Sequence, residues 1–320
     1  MFAVTAVRFD AENPISGLGL GEHAEPTPPD GWTTVAVKAA SLNHHDLWSL
    51  RGVGLSADRL PMILGCDAAG IDEDGNDVVV HAVIGDPSAG DETLDPSRSL
   101  LSERYDGTFA ERLTVPRRNL VPKPAALSFE EAACLPTAYL TAFRMLFDRA
   151  PVGPGSTVLV QGAGGGVATA LILLGRAAGY RMWATSRSEA KRQRALELGA
   201  DQVFETGARL PERVDAVMET VGEATWAHSL RALKPGGTVV ICGATSGSVP
   251  PADLTRIFFL QLSVIGSTMG TRDQLARLLT FCEQTGARPL IDRTMPLSQA
   301  ADGFAAMISG DLFGKVVFTV

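Results

Sequence analysis

The sequence is poor in cysteine and in aromatic side chains, and it has no long run of one charge or of apolar residues. Its four cysteines are Cys66, Cys134, Cys242 and Cys282, which are too scattered for a Cys-x-x-Cys metal motif or a disulfide framework. We expect small buried thiols in a reducing cytoplasm. The first residues, 1–4, have a strand-like pattern and not that of a signal peptide, which also favours the cytoplasm.

Charge and length narrow the class of protein further. The chain has 320 residues, a formal net charge of −8 and one short basic run, at 191–194. An acidic chain of this kind predicts no nucleic-acid partner, and no apolar run is long enough to cross a membrane. The length suits two domains.

A glycine-rich turn between a buried strand and a helix is the strongest motif. After the apolar run 158–160 come Gly162, Gly164, Gly165 and Gly166, and a helical pattern begins at Val167. Bare backbone at a helix N-terminus presents free N–H groups to a phosphate. The motif alone is weak, because a tight turn beside a closely packed helix needs the same glycines.

The surroundings of this turn predict an α/β fold, a Rossmann doubly wound parallel sheet with a second, β-rich domain. The predicted strands of the parallel sheet are 156–161, 181–185, 202–204, 214–219, 237–242 and 262–266. The predicted helices are 167–178, 189–198, 224–233, 251–261 and 272–284.

Residues 1–122 are rich in strands and loops. We expect strands at 2–9, 33–39, 77–83 and 109–115, a short helix at 43–50, and a long surface excursion at 85–107. In the tail, a helix at 297–308 precedes a strand at 315–320. That strand would return to pair with the N-terminal sheet and make the first domain discontinuous.

The cofactor prediction rests on the residues just after the second strand of the parallel sheet. NAD-binding sheets place an acidic residue there for the ribose 2′-OH, but Ser186 and Arg187 stand at this point, with Lys191 one turn on. A hydroxyl and a guanidinium suit a 2′-phosphate. We therefore predict NADP(H). The alternative is that Arg187 and Lys191 are ordinary solvent-exposed side chains at the start of a helix.

Together these segments resemble the medium-chain dehydrogenase/reductase superfamily, most closely its zinc-less quinone oxidoreductase branch. The resemblance covers nearly the whole chain, at segments 65–70, 106–111, 132–136, 140–143, 214–217 and 314–317 and at the glycine turn. It implies a groES-like substrate domain (1–122 and 268–320), an NADP(H)-binding Rossmann domain (123–267) and an active site in the cleft. It also implies a homodimer through the strand from Leu262 to Gly266.

Further residues are expected at the cofactor. The resemblance places Thr141 against the nicotinamide face, and Val221 and Gly222 beside the adenosine. Carboxyl ends of parallel strands bind ligands, and the remaining candidates lie there or in the tail strand. They are Gly243, Ala244, Thr245, Gly266 and Lys315.

The metal ligands of zinc-bearing relatives are missing here. Their positions correspond to Asn43, to the pair Cys66 and Asp67, and to Pro136 or Thr137. A catalytic zinc needs three protein ligands and an open position, so we expect no zinc. An irregular site that joins Cys66 to His44 or His45 stays open.

Without a metal, the expected substrate accepts hydride readily. We predict hydride transfer from NADPH to a quinone or an α,β-unsaturated carbonyl compound. The Asn43 amide is the candidate donor to the developing oxyanion, although it equally suits a local turn, and Asp46 would orient its segment. The alternatives are a zinc-dependent alcohol dehydrogenase or carbonyl reductase with an irregular metal site, and a non-catalytic NADPH-binding protein. The substrate's identity and the proton donor stay open.

Overall fold

The computed structural model describes the backbone of residues 1–320 and every side chain except that of Pro87. The chain divides into two compact units, one of Met1–Leu140 with Gly270–Val320 and one of Thr141–Met269. Residues 123–140 were predicted to belong with the nucleotide-binding domain, whereas here they lie in the first unit. The reason is that helix Phe129–Ala133 packs against the strands Trp32–Ser41 and Asp67–Asp72 of that unit.

The strands are β1 Phe2–Ala6, β2 Leu18–Glu22, β3 Trp32–Ser41, β4 Met62–Ile63, β5 Asp67–Asp72, β6 Asp77–Val80, β7 Val83–Ile84, β8 Ser99–Leu100, β9 Arg112–Pro116, β10 Leu120–Pro122, β11 Thr157–Val160, β12 Arg181–Thr185, β13 Gln202–Phe204, β14 Val214–Glu219, β15 Leu233–Ile241, β16 Ser263–Gly266, β17 Ile291–Pro296 and β18 Lys315–Thr319. The α-helices are α1 His44–Leu50, α2 Phe129–Ala133, α3 Leu140–Arg144, α4 Gly166–Ala177, α5 Glu189–Leu198, α6 Glu223–Ala232, α7 Leu254–Phe259, α8 Arg272–Thr285 and α9 Ala300–Ser309. Two π-helical turns, Leu135–Tyr139 and Met145–Arg149, flank α3.

The first unit is built around a sheet with the strand order β10-β6-β5-β3-β18-β17, in which β9 also pairs with β3. The tail strand β18 runs antiparallel to β3, with Val317 opposite Ser41, which confirms the predicted return of the tail. Phe109 packs edge-on against Phe318 at a ring-centroid distance of 5.2 Å. Both ends of the chain therefore share one hydrophobic core.

The second unit contains the predicted doubly wound sheet. Its strands are all parallel, in the order β13-β12-β11-β14-β15-β16. In chain order this is 3-2-1-4-5-6, the order of dinucleotide-binding sheets. The central strand β11 is fully buried, as the continuous apolar run predicts.

The prediction for residues 85–107 was wrong in part. The segment has little periodicity, but its strand β8 pairs with β7, which lies just before the segment, and it buries Leu101 and Ser102. Its backbone is satisfied locally, since the Asp95 carboxylate accepts hydrogen bonds from the N–H groups of Asp86 and Ser97. Such side-chain-to-backbone turns replace a regular pattern. Among the described residues, no helix is both long and apolar enough to cross a bilayer.

Candidate cofactor and catalytic sites

The glycine turn of the second unit has the geometry of a phosphate site. Gly162 and Gly164 have φ values of +78° and +121°, a region that favours glycine. Gly165 is exposed and precedes α4 without any capping side chain, and a Cβ on Gly165 would meet no atom within 4 Å. Gly166 and Val167 form the first turn of α4. This N-terminus is open to a ligand whose anionic group its N–H groups would bind.

Basic groups surround the place where a 2′-phosphate is expected. The side chain of Lys191 lies over the turn, because a Cβ on Gly164 would be 3.4 Å from Lys191 Nζ. Arg187 is exposed and has no ion-pair partner among the described residues. Ser186 is mostly buried, and its hydroxyl oxygen accepts a hydrogen bond from Ser188 N. The residues present therefore fit NADP(H), with no carboxylate at the end of β12.

Two further turns meet the glycine turn at the carboxyl ends of the strands. A Cβ on Gly162 would lie 2.6 Å from Val221 Cγ2, and one on Gly222 would lie 2.9 Å from Ala244 Cα. Gly243 follows β15 closely, since its own Cβ would lie 3.0 Å from Thr220 O. The structure thus brings together most of the predicted cofactor residues of this unit.

Three other predicted cofactor residues of this unit lie outside these close contacts between turns. Thr245 is exposed, and Gly266 is an exposed residue at the end of edge strand β16. Thr141 is buried on α3.

The sequence analysis missed a buried carboxylate that holds one of these turns. Glu219 is fully buried at the end of β14, and its Oε1 accepts hydrogen bonds from Val221 N at 2.9 Å and Gly222 N at 3.0 Å. Thr225 Oγ1 and Ser229 Oγ also donate to this carboxylate. The available signal was an acid directly after the apolar run 216–218.

In the first unit, Asn43 and Asp46 open helix α1 as a capping box. Asn43 N donates to Asp46 Oδ2 at 2.8 Å, and Gly65 N donates to Asp46 Oδ1 at 3.1 Å. Asp46 is fully buried. These bonds fit the predicted role of Asp46 in orienting its segment.

Asn43 is committed within the protein at both ends of its amide. Nδ2 donates to Asp67 Oδ2 at 2.8 Å and to Ser41 O at 3.3 Å, while Oδ1 accepts from Lys315 Nζ at 2.6 Å. Both amide protons are therefore in use. This does not support the prediction that Asn43 donates to a substrate oxygen.

Lys315 is buried beside Asn43, with its side chain only 2% exposed. Its ammonium also donates to Leu42 O at 2.9 Å and to Asp67 Oδ2 at 3.2 Å. Three oxygen acceptors within the first unit thus take up its three protons. This arrangement does not support the predicted contact between Lys315 and the cofactor.

The residues at the family's metal positions do not fit a catalytic zinc. Cys66 is the one side chain of a preferred zinc ligand type that stays available at these positions, because Asn43 offers an amide, Thr137 offers a hydroxyl, and Asp67 Oδ2 already pairs with the Lys315 ammonium. Zinc prefers thiolate, imidazole and carboxylate ligands, and the nearby ammonium would repel a second cation. Two oxygen atoms at these positions, Asp67 Oδ1 and Thr137 Oγ1, are buried and have no hydrogen-bond partner among the described residues.

A second cluster in this unit joins Cys66 to His45. Cys66 Sγ lies 3.2 Å from His45 Nδ1, and His45 Nε2 lies 3.1 Å from Glu103 Oε1. Burial raises the pKa of the Cys66 thiol. Burial alone would lower the pKa of His45, but the adjoining Cys66, Asp46 and Glu103 side chains raise it well above the usual value. His44, the other histidine considered, is exposed.

Known proteins resemble both units. The family model described as alcohol dehydrogenase GroES-like domain matches residues 29–125, and that described as zinc-binding dehydrogenase matches residues 166–284. The synaptic vesicle membrane protein VAT-1 homolog of Mus musculus is 30% identical over 91% of this chain and 77% of its own. The quinone oxidoreductase of Mus musculus is 28% identical over 89% and 88%. A solved NAD-dependent alcohol dehydrogenase is 34% identical with a TM-score of 0.92, and both chains are covered completely.

The buried Lys315–Asp67 pair predicts a large difference between two lysine substitutions. Lys315→Met leaves the Asp67 carboxylate buried and unpaired, so we expect the free energy of unfolding to fall by about 3–5 kcal/mol. Lys234→Met is the control, because Lys234 and Asp215 form an ion pair at 2.8 Å with side chains 45% and 29% exposed. That loss should be about 0–1 kcal/mol. Urea unfolding measures both, and equal losses would contradict the account.

Proposed function

The chain belongs to the medium-chain dehydrogenase/reductase superfamily and is an oxidoreductase of it, and we propose that it transfers hydride from NADPH to a quinone or an α,β-unsaturated carbonyl compound without a metal ion. When bound, NADPH supplies the hydride from its nicotinamide ring. The protein's own contribution is to bind the cofactor, to orient the acceptor and to supply polar groups. The observation that carries the metal-independent part is the Lys315 ammonium between Asn43 and Asp67.

The preference for NADPH is supported by the charges beside the glycine turn. Arg187 and Lys191 place two cations near Ser186, and no carboxylate stands at the end of β12. A 2′-phosphate would gain charge-assisted hydrogen bonds from the guanidinium. The ribose 2′-OH of NADH would lack the acidic acceptor that NAD-binding sheets provide.

The proposed substrate class is inferred from the side chains at the family's metal positions, because the Asn43 amide and the Asp67 carboxylate paired with the Lys315 ammonium do not fit a Lewis-acidic metal ion. An unactivated alcohol is hard to oxidise without one, whereas a quinone or an enone accepts hydride readily. The oxygen that becomes negative needs hydrogen-bond donors. Because the amide protons of Asn43 are committed within the protein, we propose that Asn43 and Asp46 position the segment and that Asn43 does not donate to the substrate oxygen. The relative named quinone oxidoreductase agrees with this substrate class.

A second candidate function is a metal-dependent alcohol dehydrogenase or carbonyl reductase. The observation that favours it is the cluster of His45, Asp46 and Cys66, whose ligand atoms all lie within 4.8 Å of one another. A third, a non-catalytic NADPH-binding protein, predicts the same cofactor affinity without turnover. Turnover with a panel of hydride acceptors, before and after chelation, separates the three.

Cofactor preference is tested by substitution at Arg187. We expect the wild-type protein to bind NADPH about tenfold or more tightly than NADH, since a charge-assisted hydrogen bond contributes about 1.5–3 kcal/mol. Arg187→Ala should remove much of that preference by weakening NADPH binding alone, while Arg209→Ala, at another exposed arginine of the same unit, should leave it unchanged. Titration calorimetry measures the dissociation constants of both cofactors for each protein. Equal wild-type affinities for the two cofactors would refute the NADPH assignment.

The reaction class is tested with an acceptor panel at the nicotinamide absorbance. We expect NADPH oxidation with quinones and enones, little with simple aldehydes, and the same rates after treatment with a chelator. Loss of turnover on chelation, restored by zinc, would instead favour the alcohol dehydrogenase. No turnover with any acceptor, despite tight NADPH binding, would favour the non-catalytic protein.

We further propose that two copies associate through the open edge of the parallel sheet. Strand β16 has a neighbour on one side only, and such an edge is a template for pairing with another chain. Beside it in sequence, Leu254, Phe258 and Phe259 are 70%, 68% and 77% exposed. Antiparallel pairing of two β16 strands would create a twofold, self-complementary interface and cover exposed apolar surface.

The dimer is tested by light scattering after size exclusion. For the wild type we expect twice the chain mass of 33.7 kDa. For Phe258→Glu/Phe259→Glu we expect the mass of a single chain, because dimer formation would remove the new carboxylates from water. Leu94→Glu, at a residue 66% exposed in the first unit, is the control and should stay dimeric. A monomeric wild type would contradict the proposal.

A further inference from the structure

A cluster of metal-ligating side chains lies in the first unit, on residues that differ from the family's metal positions except at Cys66. Cys66 Sγ is 3.2 Å from His45 Nδ1, and His45 Nδ1 is 3.9 Å from Asp46 Oδ1. We propose that Cys66, His45 and Asp46 bind one divalent transition-metal ion, with Zn²⁺ as the preferred ion. This site is independent of the proposed hydride transfer.

The donor set and its spacing suit zinc. Thiolate, imidazole and carboxylate are its usual protein ligands, at about 2.0–2.3 Å, which places tetrahedral ligand atoms about 3.5 Å apart. The Cys66–His45 and His45–Asp46 separations, 3.2 Å and 3.9 Å, lie on either side of that value, and all three ligand atoms lie within 4.8 Å of one another. Cys66 and Asp46 are fully buried and the His45 side chain is 19% exposed, which gives a largely preformed and enclosed site.

Glu103 fixes the orientation of the histidine. Its Oε1 lies 3.1 Å from His45 Nε2, and its Oε2 accepts a hydrogen bond from Leu100 N at 3.0 Å. A histidine ligand commonly donates its other N–H to a carboxylate, which fixes the ring and raises its basicity. Nδ1 then faces Cys66 as the free ligand atom. Glu103 is therefore a positioning residue of this site.

The enclosed geometry favours a structural ion. The proposed ligands come from α1 and from the residue before β5, and Glu103 comes from the turn after β8. Ser102 Oγ and Leu101 O, from the same turn, lie 3.8 Å and 3.3 Å from Cys66 Sγ. On binding, the Cys66 thiol and the imidazolium form of His45 would each release a proton to solvent, and the thiolate and the freed Nδ1 would bind the ion. The ion would thus tie the turn and α1 to the sheet.

The experiment is a Co²⁺ titration of full-length, chelator-treated protein followed by absorbance. We expect one Co²⁺ per chain with a thiolate-to-cobalt charge-transfer band, displacement of that ion by Zn²⁺, and a raised thermal midpoint with either metal. Cys66→Ser and His45→Gln should each lose the band. Cys134→Ser, at a buried cysteine that donates to Glu130 O, should keep it. Glu103→Gln should bind Co²⁺ about 10–100-fold more weakly.

Circular dichroism establishes which variants are folded. If Cys66→Ser is not folded, the absorbance band of His45→Gln tests the proposal in its place. The absence of stoichiometric Co²⁺ binding, or a band that persists in both ligand variants, would overturn the proposal. Loss of the band in Cys134→Ser alone would also overturn it. NADPH oxidation by the same metal-free sample is recorded separately, so failure of the metal site and failure of the proposed reaction are distinguishable.

Discussion

The buried ammonium group of Lys315 is the interaction on which the candidate catalytic segment depends. It joins the last strand of the chain to Asn43 and Asp67, which follow β3 and begin β5. A buried charge must be paired, and here the Asp67 carboxylate and two further oxygens pair it. The same contact fixes the amide of Asn43 and puts a positive charge among the positions where zinc-bearing relatives hold their metal. The Lys315 side chain therefore affects both the packing of this segment and its ability to bind a metal ion.

Much of the fold could be predicted from the sequence because its signals are local. Continuous apolar runs and the glycine turn mark β11 and α4, and β12, β13, β14 and α5 have the predicted bounds. The return of the tail to the N-terminal sheet was also predictable, and pairing of β18 with β3 confirms it. The superfamily could be inferred from motifs spread along the chain. Bounds were less accurate where prolines and short polar turns set them, as at α7 and in residues 85–107.

The candidate site was harder to predict because its contacts are not local. Lys315 and Asp67 are 248 residues apart in sequence. Lysine is rarely buried, so a lysine near the C-terminus is expected at the surface. Asn43 was predicted as the first residue of a short helix and is the residue just before α1, but its hydrogen-bond partners depend on that distant lysine. Glu103 lies in a segment without periodicity, so nothing in the sequence indicated that it would contact His45. Glu219 is a comparable case, since its network forms only when β14 and α6 pack together.

The central claim is that hydride passes from NADPH to an activated double bond without a metal at the Asn43 position. The most direct measurement is label transfer from NADPH dideuterated at C4 of the nicotinamide to an enone, with chelator-treated protein that circular dichroism shows to be folded. The account predicts deuterium on the carbon β to the carbonyl group in the product, detected by NMR. Deuterium on the carbonyl carbon, or transfer that occurs only after zinc is restored, would contradict it.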